Sequence, residues 1–265
     1  MLDLELAQSQ LVELGLSRSA DLLDAKIDAA TTKDLSYLGF LSELLGTEIE
    51  SKRARAYDVR LQTAGLPFRK SISEFDFSFC PSIDKSFINE LRSLAFITSA
   101  TNLVLLGPPG VGKTHLSVAL ALEAIAGGFT VYFTTLSKIA NELSSSYSPA
   151  KMRKYTNPKV LIIDEMGYRP LDKTAANYFF EIISARYETG TVILSSNKGF
   201  SEWGETLFSD PILITAILDR LLHHAHVINI KGNSYRLKDR TKQGIYKTPS
   251  VGEAVKKGEN IQPLN

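Results

Sequence analysis

The sequence predicts an α/β fold in which a five-stranded parallel sheet lies between helices and a small all-helical domain precedes it. Three observations support this prediction. Helical patterns without a strand fill residues 1–66, short apolar runs alternate with helical patterns from about residue 82, and a glycine-rich phosphate-binding motif joins the first apolar run to a helix. Strands that alternate with helices favour a parallel sheet covered on both faces.

Composition indicates the compartment of the protein but does not identify a binding partner. The chain has 265 residues, 30 Lys and Arg against 29 Asp and Glu, and a single cysteine, Cys80. The net charge of +1 indicates no partner, so any basic surface must be local. The lone cysteine excludes an internal disulfide and suits a reducing compartment. With no secretory pattern at the start and no apolar run of about 18 residues, we expect a cytoplasmic protein.

The first 66 residues are predicted to form a helical domain that binds DNA or a protein partner. Leucines recur at helical spacing in "DLSYLGFLSELLG" and share one helix face. Gly46 is expected to end that helix and Thr47 to cap the next one. The second helix carries a group of basic residues: Lys52, Arg53, Arg55 and Arg60.

Two basic segments are candidates for contact with DNA phosphates. Arg53 and Arg60 lie one heptad apart on one helical face, with Lys52 and Arg55 beside it. The alternative is a solvated face, because Glu48 precedes Lys52 by four residues and forms a favourable intrahelical pair. The second segment, "SPAKMRKYTNP", contains Lys151, Arg153 and Lys154, and its alternative is a solvated loop. No base-reading motif is present, so DNA would be read by shape or bending.

The remaining boundaries follow from composition. Residues 67–81 are rich in Phe, Ser and Pro and are predicted to be a linker lying on a domain surface. Residues 82–247 form the predicted α/β domain, and the polar tail 248–265 is predicted to be disordered. The expected strands are 101–106, 130–134, 159–164, 190–195 and 226–230, the third being central because it is almost continuously apolar.

The stretch "GPPGVGKT" fits the phosphate-binding pattern G-x-x-x-x-G-K-[ST] between a strand and a helix. Its glycines let backbone N–H groups turn toward phosphates, and the helix start adds partial positive charge. Lys113 is expected to reach the β and γ phosphates, and the Thr114 hydroxyl to ligate Mg²⁺. The predicted nucleotide-binding residues are Gly107, Pro108, Pro109, Gly110, Val111, Gly112, Lys113, Thr114 and His115.

The stretch "KVLIIDEMGY" places two carboxylates at the end of a buried strand. Asp164 is predicted to hold Mg²⁺, and Glu165 to polarise a water molecule for attack on the γ phosphate. A small-molecule kinase does not need such a base, so the pair favours ATP hydrolysis. The alternative for Glu165 is a solvated charge at a strand end.

Two later residues complete the predicted catalytic set. Asn197 ends the next strand, where an amide can orient the attacking water, although Asn is also common in turns. Arg220 is predicted to act in a neighbouring subunit's site as an arginine finger; the alternative is an exposed side chain paired with Asp219 or Glu205. The histidines of "LLHHAHV" have no cysteine or clustered carboxylate nearby in sequence, so we expect packing and not a metal site.

In this order the motifs resemble those of AAA+ ATPases, and specifically the branch of DnaA-type initiators and DnaC-type helicase loaders. Within that branch the chain strongly resembles the IstB-like helper ATPases of insertion-sequence transposition. The resemblance covers most of the chain. It is carried by "SYLGFLSELLGTEIESKRARAYDVRLQTAGLP", "SISEFDFS", "GPPGVGKTHLSVAL", "LIIDEMGY", "SSNKGFSEW" and "ILDRLLHHAHVINIKGNSYRLK".

The resemblance implies a protein that binds ATP and Mg²⁺, assembles into a ring or spiral on duplex DNA, deforms the target DNA and recruits a DDE-family transposase. It also implies that Arg236 is a second sensor arginine at the γ phosphate. Too few residues follow the fifth strand for a full helical lid, so a neighbouring subunit would have to close the site. A replicative helicase loader is the main alternative, and a monomeric P-loop kinase acting on a metabolite is a more distant one.

Overall fold

The structure is a computed structural model that describes residues 2–166, 170–206 and 210–235. The helices are α1 (Leu2–Glu13), α2 (Ser17–Thr32), α3 (Tyr37–Thr63), α4 (Lys85–Leu91), α5 (Ala95–Thr98), α6 (Lys113–Ala126), α7 (Leu136–Ser145), α8 (Pro149–Thr156), α9 (Lys173–Arg186), α10 (Phe200–Thr206) and α11 (Pro211–His223), with a 3-10 turn at Ile72–Glu74. The strands are β1 (Asn102–Leu106), β2 (Val131–Thr135), β3 (Val160–Met166), β4 (Thr191–Ser196) and β5 (Ala225–Asn229).

The five strands form one parallel sheet in the order β2-β3-β4-β1-β5. This confirms the predicted α/β fold, and each strand starts within one residue of its predicted start. β3 lies inside the sheet, between β2 and β4, as its continuous apolar run predicts. Because all five strands are parallel, the carboxyl ends of β1, β3 and β4 meet at one edge of the sheet, where ligands bind in such folds.

Two apolar cores cover the two faces of the sheet, and successive strand residues alternate between them. Leu103 and Leu105 of β1 point into the core formed with α6, while Val104 and Leu106 point into the core formed with α7, α9 and α11. This period of two is the geometry of a strand. The sheet is therefore held from both sides, which fixes the edge where the phosphate-binding loop leaves β1.

The N-terminal helices correct one prediction. Gly46 does not end a helix, because α3 runs unbroken from Tyr37 to Thr63. Thr47 lies inside this helix and its hydroxyl donates to the Glu43 carbonyl at 2.9 Å. An interior glycine costs a helix only about 1 kcal/mol. Packing of α3 against α2 outweighs that cost: the Ser19 hydroxyl donates to the Leu44 carbonyl at 3.1 Å, and the Ser19 amide donates to the buried Glu48 carboxylate at 3.0 Å.

The predicted leucine face is only partly buried. Leu44 is 4% exposed, whereas Leu38 is 79% exposed and Leu41 and Leu45 also remain exposed. Helical spacing correctly places these residues on one side, but α2 covers only the middle of that side.

The end of α3 belongs to the core of the α/β part. Leu61 and Ala64 are buried in the same core as β1 and α6, and the Phe133 amide of edge strand β2 donates to the Ala64 carbonyl at 2.8 Å. One continuous helix thus packs against α2 at its start and against the sheet at its end.

A buried arginine stabilises the approach to β3. The guanidinium of Arg186, at the end of α9, is 2% exposed and donates to the carbonyls of Tyr155, Thr156, Pro158, Lys159 and Thr191 at 2.8–3.2 Å. Burial lowers the pKa of Arg186 to about 10, so the side chain stays charged at neutral pH. It ties the α8–β3 connection to the start of β4.

Replacing the guanidinium of Arg186 should destabilise the fold. In Arg186→Lys, an ammonium with three donors cannot serve five carbonyls, and we expect the free energy of unfolding to fall by about 2–4 kcal/mol in urea titration. Arg92→Lys is the matched control, since Arg92 is half exposed in its ion pair with Glu123 and should change stability by less than about 1 kcal/mol. Equal effects of the two substitutions would contradict this role for Arg186.

Candidate nucleotide-binding site

The glycine-rich loop leaves the carboxyl end of β1 and enters α6 at Lys113. Gly110 and Gly112 have φ angles of 83° and 97°, which favour glycine. Space also requires glycine at both positions. A Cβ on Gly112 would lie 2.6 Å from Cε2 of Phe75, and one on Gly110 would overlap the Ser234 side chain. The loop is therefore shaped by its own backbone and by the segments packed on it.

The amino group of Lys113 lies at the mouth of this loop. Its Nζ donates to the carbonyls of Gly107 at 2.7 Å and Pro108 at 2.8 Å. Lys113 and the adjoining loop residues line a cleft of about 280 Å³. The cleft begins at the N-terminus of α6, where unpaired backbone N–H groups favour an anion. A phosphate placed there would offer Lys113 oxygen acceptors in place of the two carbonyls.

The two predicted Mg²⁺ residues are in direct contact. The Thr114 hydroxyl donates to Oδ2 of Asp164 at 2.9 Å, and the Ser195 hydroxyl donates to Oδ1. Asp164 is 4% exposed. A buried carboxylate beside a hydroxyl is an oxygen donor set that fits Mg²⁺, so these residues match the metal that the sequence predicts.

Glu165 points away from the sheet because β3 is irregular at this point. The pairing of β3 with β4 shifts register between Ile163 and Met166, and Glu165 has a φ of 59°. A non-glycine residue in this region costs roughly 1–2 kcal/mol and often marks a functional site. The Glu165 amide donates to the Ser195 hydroxyl at 3.2 Å, and its side chain is exposed at the cleft.

Asn197 is held at the same edge by a buried tryptophan. Trp203 donates its indole N–H to the Ser196 hydroxyl at 3.2 Å and the Lys198 carbonyl at 3.1 Å, and that hydroxyl donates to the Met166 carbonyl at 2.8 Å. These bonds join the two ends of the stretch "SSNKGFSEW" to each other. The Asn197 side chain lines the cleft, and its buried Oδ1 has no hydrogen-bond partner among the described residues.

Sequence reasoning missed Ser195 and Ser196. Ser195 contacts Asp164 and positions the Glu165 backbone, while Ser196 connects the ends of β3 and β4. Their position immediately before Asn197 was the available signal. Both are small polar residues at the carboxyl end of a buried strand.

Residues 67–81, the predicted linker, line one side of the cleft. We call these residues the roof segment. His115 contacts this segment: its Nε2 lies 3.0 Å from the Ser71 carbonyl oxygen, and its ring meets Phe75 edge-on at 5.3 Å. The Cys80 thiol donates to the Val111 carbonyl at 3.3 Å, and burial raises the pKa of that thiol. His115 therefore lines the cleft and also joins the roof segment to α6.

The chain after β5 closes the other side of the loop. The Tyr235 amide donates to the Gly110 carbonyl at 2.9 Å, and the Tyr235 ring packs edge-on against Phe79 at 5.1 Å. Arg236 and the predicted tail 248–265 lie outside the described residues.

Arg220 is not among the residues that line the cleft of its own chain. It lies near the end of α11, where its guanidinium donates to the Ala216 carbonyl at 3.0 Å and stacks 4.9 Å from the centre of the Phe180 ring. Within the described ranges, Arg220 forms no ion pair with Asp219, and the side chain of Glu205 lies outside them. The structure thus separates Arg220 from the other predicted catalytic residues.

The candidate DNA-binding residues differ in their charge partners. Lys52 and Arg55 lie 4.0 Å and 3.3 Å from the buried Glu48 carboxylate, which confirms the intrahelical pair. Lys154 pairs with Glu142 at 2.8 Å. The remaining four form no ion pair within the described part of the chain: Arg53, Arg60, Lys151 and Arg153.

Two of these four are exposed. Arg53 and Arg153 point into solvent, whereas Arg60 is half-buried and Lys151 donates to the Ser146 hydroxyl. Residues 149–156 are helix α8 and not the solvated loop that was the alternative.

No helix in the described ranges is long and apolar enough to span a membrane.

Comparison with known proteins identifies the family of this chain. The family model for the IstB-like ATP binding protein matches residues 9–243. The chain is 41% identical over 268 residues to a Pseudomonas aeruginosa protein named as an ATP-binding protein of insertion sequence IS21, with 98% of this chain and 100% of that protein covered. It is 45% identical over 234 residues to the corresponding IS5376 protein of Geobacillus stearothermophilus, covering 87% of this chain and 93% of that protein.

Solved structures agree on the fold. The DnaI crystal structure matches with a TM-score of 0.53 at 23% identity, over 63% of this chain and 90% of DnaI. AMPPCP-bound DnaA from Aquifex aeolicus matches with a TM-score of 0.51 at 18% identity, over 69% of this chain and 58% of DnaA. The fold is therefore that of the P-loop AAA+ proteins.

Proposed function

Because this chain belongs to the IstB-like ATP-binding protein family of IS21-type insertion sequences, we propose that it hydrolyses ATP to control an assembly on duplex DNA. In this proposal the ATP-bound assembly deforms target DNA and recruits a DDE-family transposase, and hydrolysis releases it. ATP binding follows from the family, while hydrolysis, DNA remodelling and the transposase are the proposed steps.

The position of Glu165 is the observation that carries the proposal of hydrolysis. Thr114 and Asp164 would hold Mg²⁺, which neutralises charge on the β and γ phosphates when bound. Glu165 follows Asp164 directly, and its exposed carboxylate lines the cleft, where it can accept a proton from water. The Asn197 side chain also lines the cleft, where its amide can help to orient that water. A kinase would need an acceptor site in place of this water.

Glu165→Gln should separate ATP binding from ATP hydrolysis. The amide keeps the shape of the side chain but cannot take a proton, so we expect turnover to fall by about 10²- to 10⁴-fold with little change in ATP affinity. Electron microscopy with duplex DNA and ATP should then show the variant trapped as a DNA-bound oligomer. Glu181→Gln, an exposed carboxylate on α9, is the matched control. Wild-type turnover in Glu165→Gln would rule out its role as the base.

The location of Arg220 supports an assembly in which each nucleotide lies between two subunits. The described part of the cleft contains Lys113 as its cation at the phosphate loop and Lys70 in the roof segment, with no arginine. An arginine from a neighbouring subunit would supply a transition-state contact that the described residues of the cleft do not provide. Packing on Phe180 holds the Arg220 guanidinium near the end of α11. We propose that α11 faces the cleft of the next subunit.

Mixing two inactive variants tests this arrangement. Lys113→Ala should lose nucleotide binding and Arg220→Ala should lose hydrolysis, so each alone should be inactive. Mixed oligomers contain interfaces in which an intact cleft meets an intact Arg220, and about a quarter of random interfaces should recover activity. The control is a mixture of Lys113→Ala with the double variant, which offers no intact pair. Absence of recovery in oligomers of normal size would contradict an action in trans.

For DNA contact, charge pairing favours Arg53 and Arg153 among the seven candidates. Lys52, Arg55 and Lys154 are already close to carboxylates, so a phosphate would gain less from them. Arg53 and Arg153 are exposed and have no acidic partner within the described ranges. A cation that is not neutralised by its own protein releases more counterion from DNA.

The salt dependence of DNA binding should distinguish these two groups. We expect Arg53→Gln and Arg153→Gln each to reduce the slope of log affinity against log salt concentration by about 1, measured by fluorescence anisotropy with ATP analogue. Arg55→Gln is the matched control on the same helix and should change the slope less. Equal slopes for all three variants and the parent would exclude these arginines from the phosphate contacts.

Two protein partners are considered for this chain, a transposase and a replicative helicase. The transposase is favoured because the relatives at 41% and 45% identity are insertion-sequence proteins. The helicase-loader alternative derives from the fold shared with DnaI, which at 23% identity shows architecture alone. A transposase gene beside the gene for this chain would support the first, and capture of a hexameric helicase would support the second.

A further inference from the structure

Three side chains with metal-binding atoms converge where the turn after α9 meets the end of α11. One ligating atom from each of Glu188, His223 and His224 lies within 4.8 Å of the other two, and all three side chains are exposed. The sequence indicates no clustered carboxylate beside the histidines. The fold supplies one from 35 residues earlier, because α9 packs against α11.

The adjacent histidines converge because the helix ends between them. Consecutive residues on a helix point about 100° apart. His223 is the last residue of α11, and His224 leaves the helix with φ −123° and ψ 81°. Their ring centres lie 4.2 Å apart as a result. On the other side, Glu188 adopts a φ of 56°, and its Oε1 lies 3.6 Å from Nε2 of His224.

Tyr187 orients one of the two imidazoles. Its hydroxyl lies 2.8 Å from Nδ1 of His223, and the two rings stack at 5.8 Å. When Nδ1–H donates to the Tyr187 oxygen, the lone pair of Nε2 is free to bind a metal. A hydrogen bond to the non-ligating nitrogen is a usual feature of histidine ligands.

We propose that Glu188, His223 and His224 bind one Zn²⁺-class transition-metal ion. Two imidazoles and a carboxylate form a donor set that suits Zn²⁺ and leaves one tetrahedral position for water or another ligand. The C-terminal end of α11 also favours a cation. A bound ion would join the turn after α9 to the end of α11, three residues from Arg220. The site is independent of the proposed function, since none of its ligands lines the nucleotide cleft.

Metal titration of the full, tag-free chain tests the site. After chelation and in excess Mg²⁺, calorimetry should show one Zn²⁺ per chain, and Co²⁺ should give the visible absorption of a tetrahedral complex. Glu188→Gln and His224→Gln should each weaken Zn²⁺ binding by at least about tenfold. His226→Gln is the matched control, because His226 is exposed on β5 against Phe87 and should leave binding unchanged.

The titration either supports or overturns the proposed metal site. Absence of stoichiometric Zn²⁺ binding, or equal affinity in the parent and both ligand variants, would overturn the site. The two variants remove different ligands at exposed positions, so failure of one to fold leaves the other as a complete test. Circular dichroism without metal establishes that folding.

Discussion

The site depends on the carboxylate of Asp164, on β3, being held between the end of β4 and the start of helix α6. Its two oxygens accept hydrogen bonds from Thr114 at the start of α6 and from Ser195 at the end of β4. These residues are far apart in sequence and meet only because parallel strands end at a common edge. The same Ser195 hydroxyl accepts a hydrogen bond from the Glu165 amide, so the positions of the proposed metal-binding carboxylate and of the next carboxylate are set together.

Sequence was a good guide wherever one local pattern determines the structure. The strands, the glycine loop and the order of Asp164, Glu165 and Asn197 follow from apolar runs that end in polar residues. Prediction was poorer where tertiary contacts outweigh a local preference. Gly46 was expected to break a helix, but the bonds from Ser19 and the burial of Glu48 keep α3 continuous. Glu188 could not be placed beside the histidines because only the packing of α9 on α11 brings it there.

The roof segment connects α3 to the α/β part of the chain and also lines the nucleotide cleft. Its composition predicted only the connection. Phe75 is buried against the phosphate-binding loop itself, Phe77 and Phe79 are partly buried in the same core, and Phe68 stays exposed at the cleft. A side chain at Gly112 would collide with Phe75, so the loop and the roof segment must fit each other closely. A stretch predicted as a connection is therefore also a wall of the nucleotide cleft.

This arrangement gives a physical route from nucleotide to the N-terminal helices. His115 follows Thr114, the proposed Mg²⁺ residue, and touches the roof segment at Ser71 and Phe75. The roof segment continues back into α3, whose end is buried in the same core as α6 and whose middle packs on α2. Since α3 is one uninterrupted helix, a shift at its buried end must displace the face that carries Arg53. A break at Gly46 would separate α2, but not Arg53, from that shift, so the continuity of α3 extends the coupling from the sheet to α2.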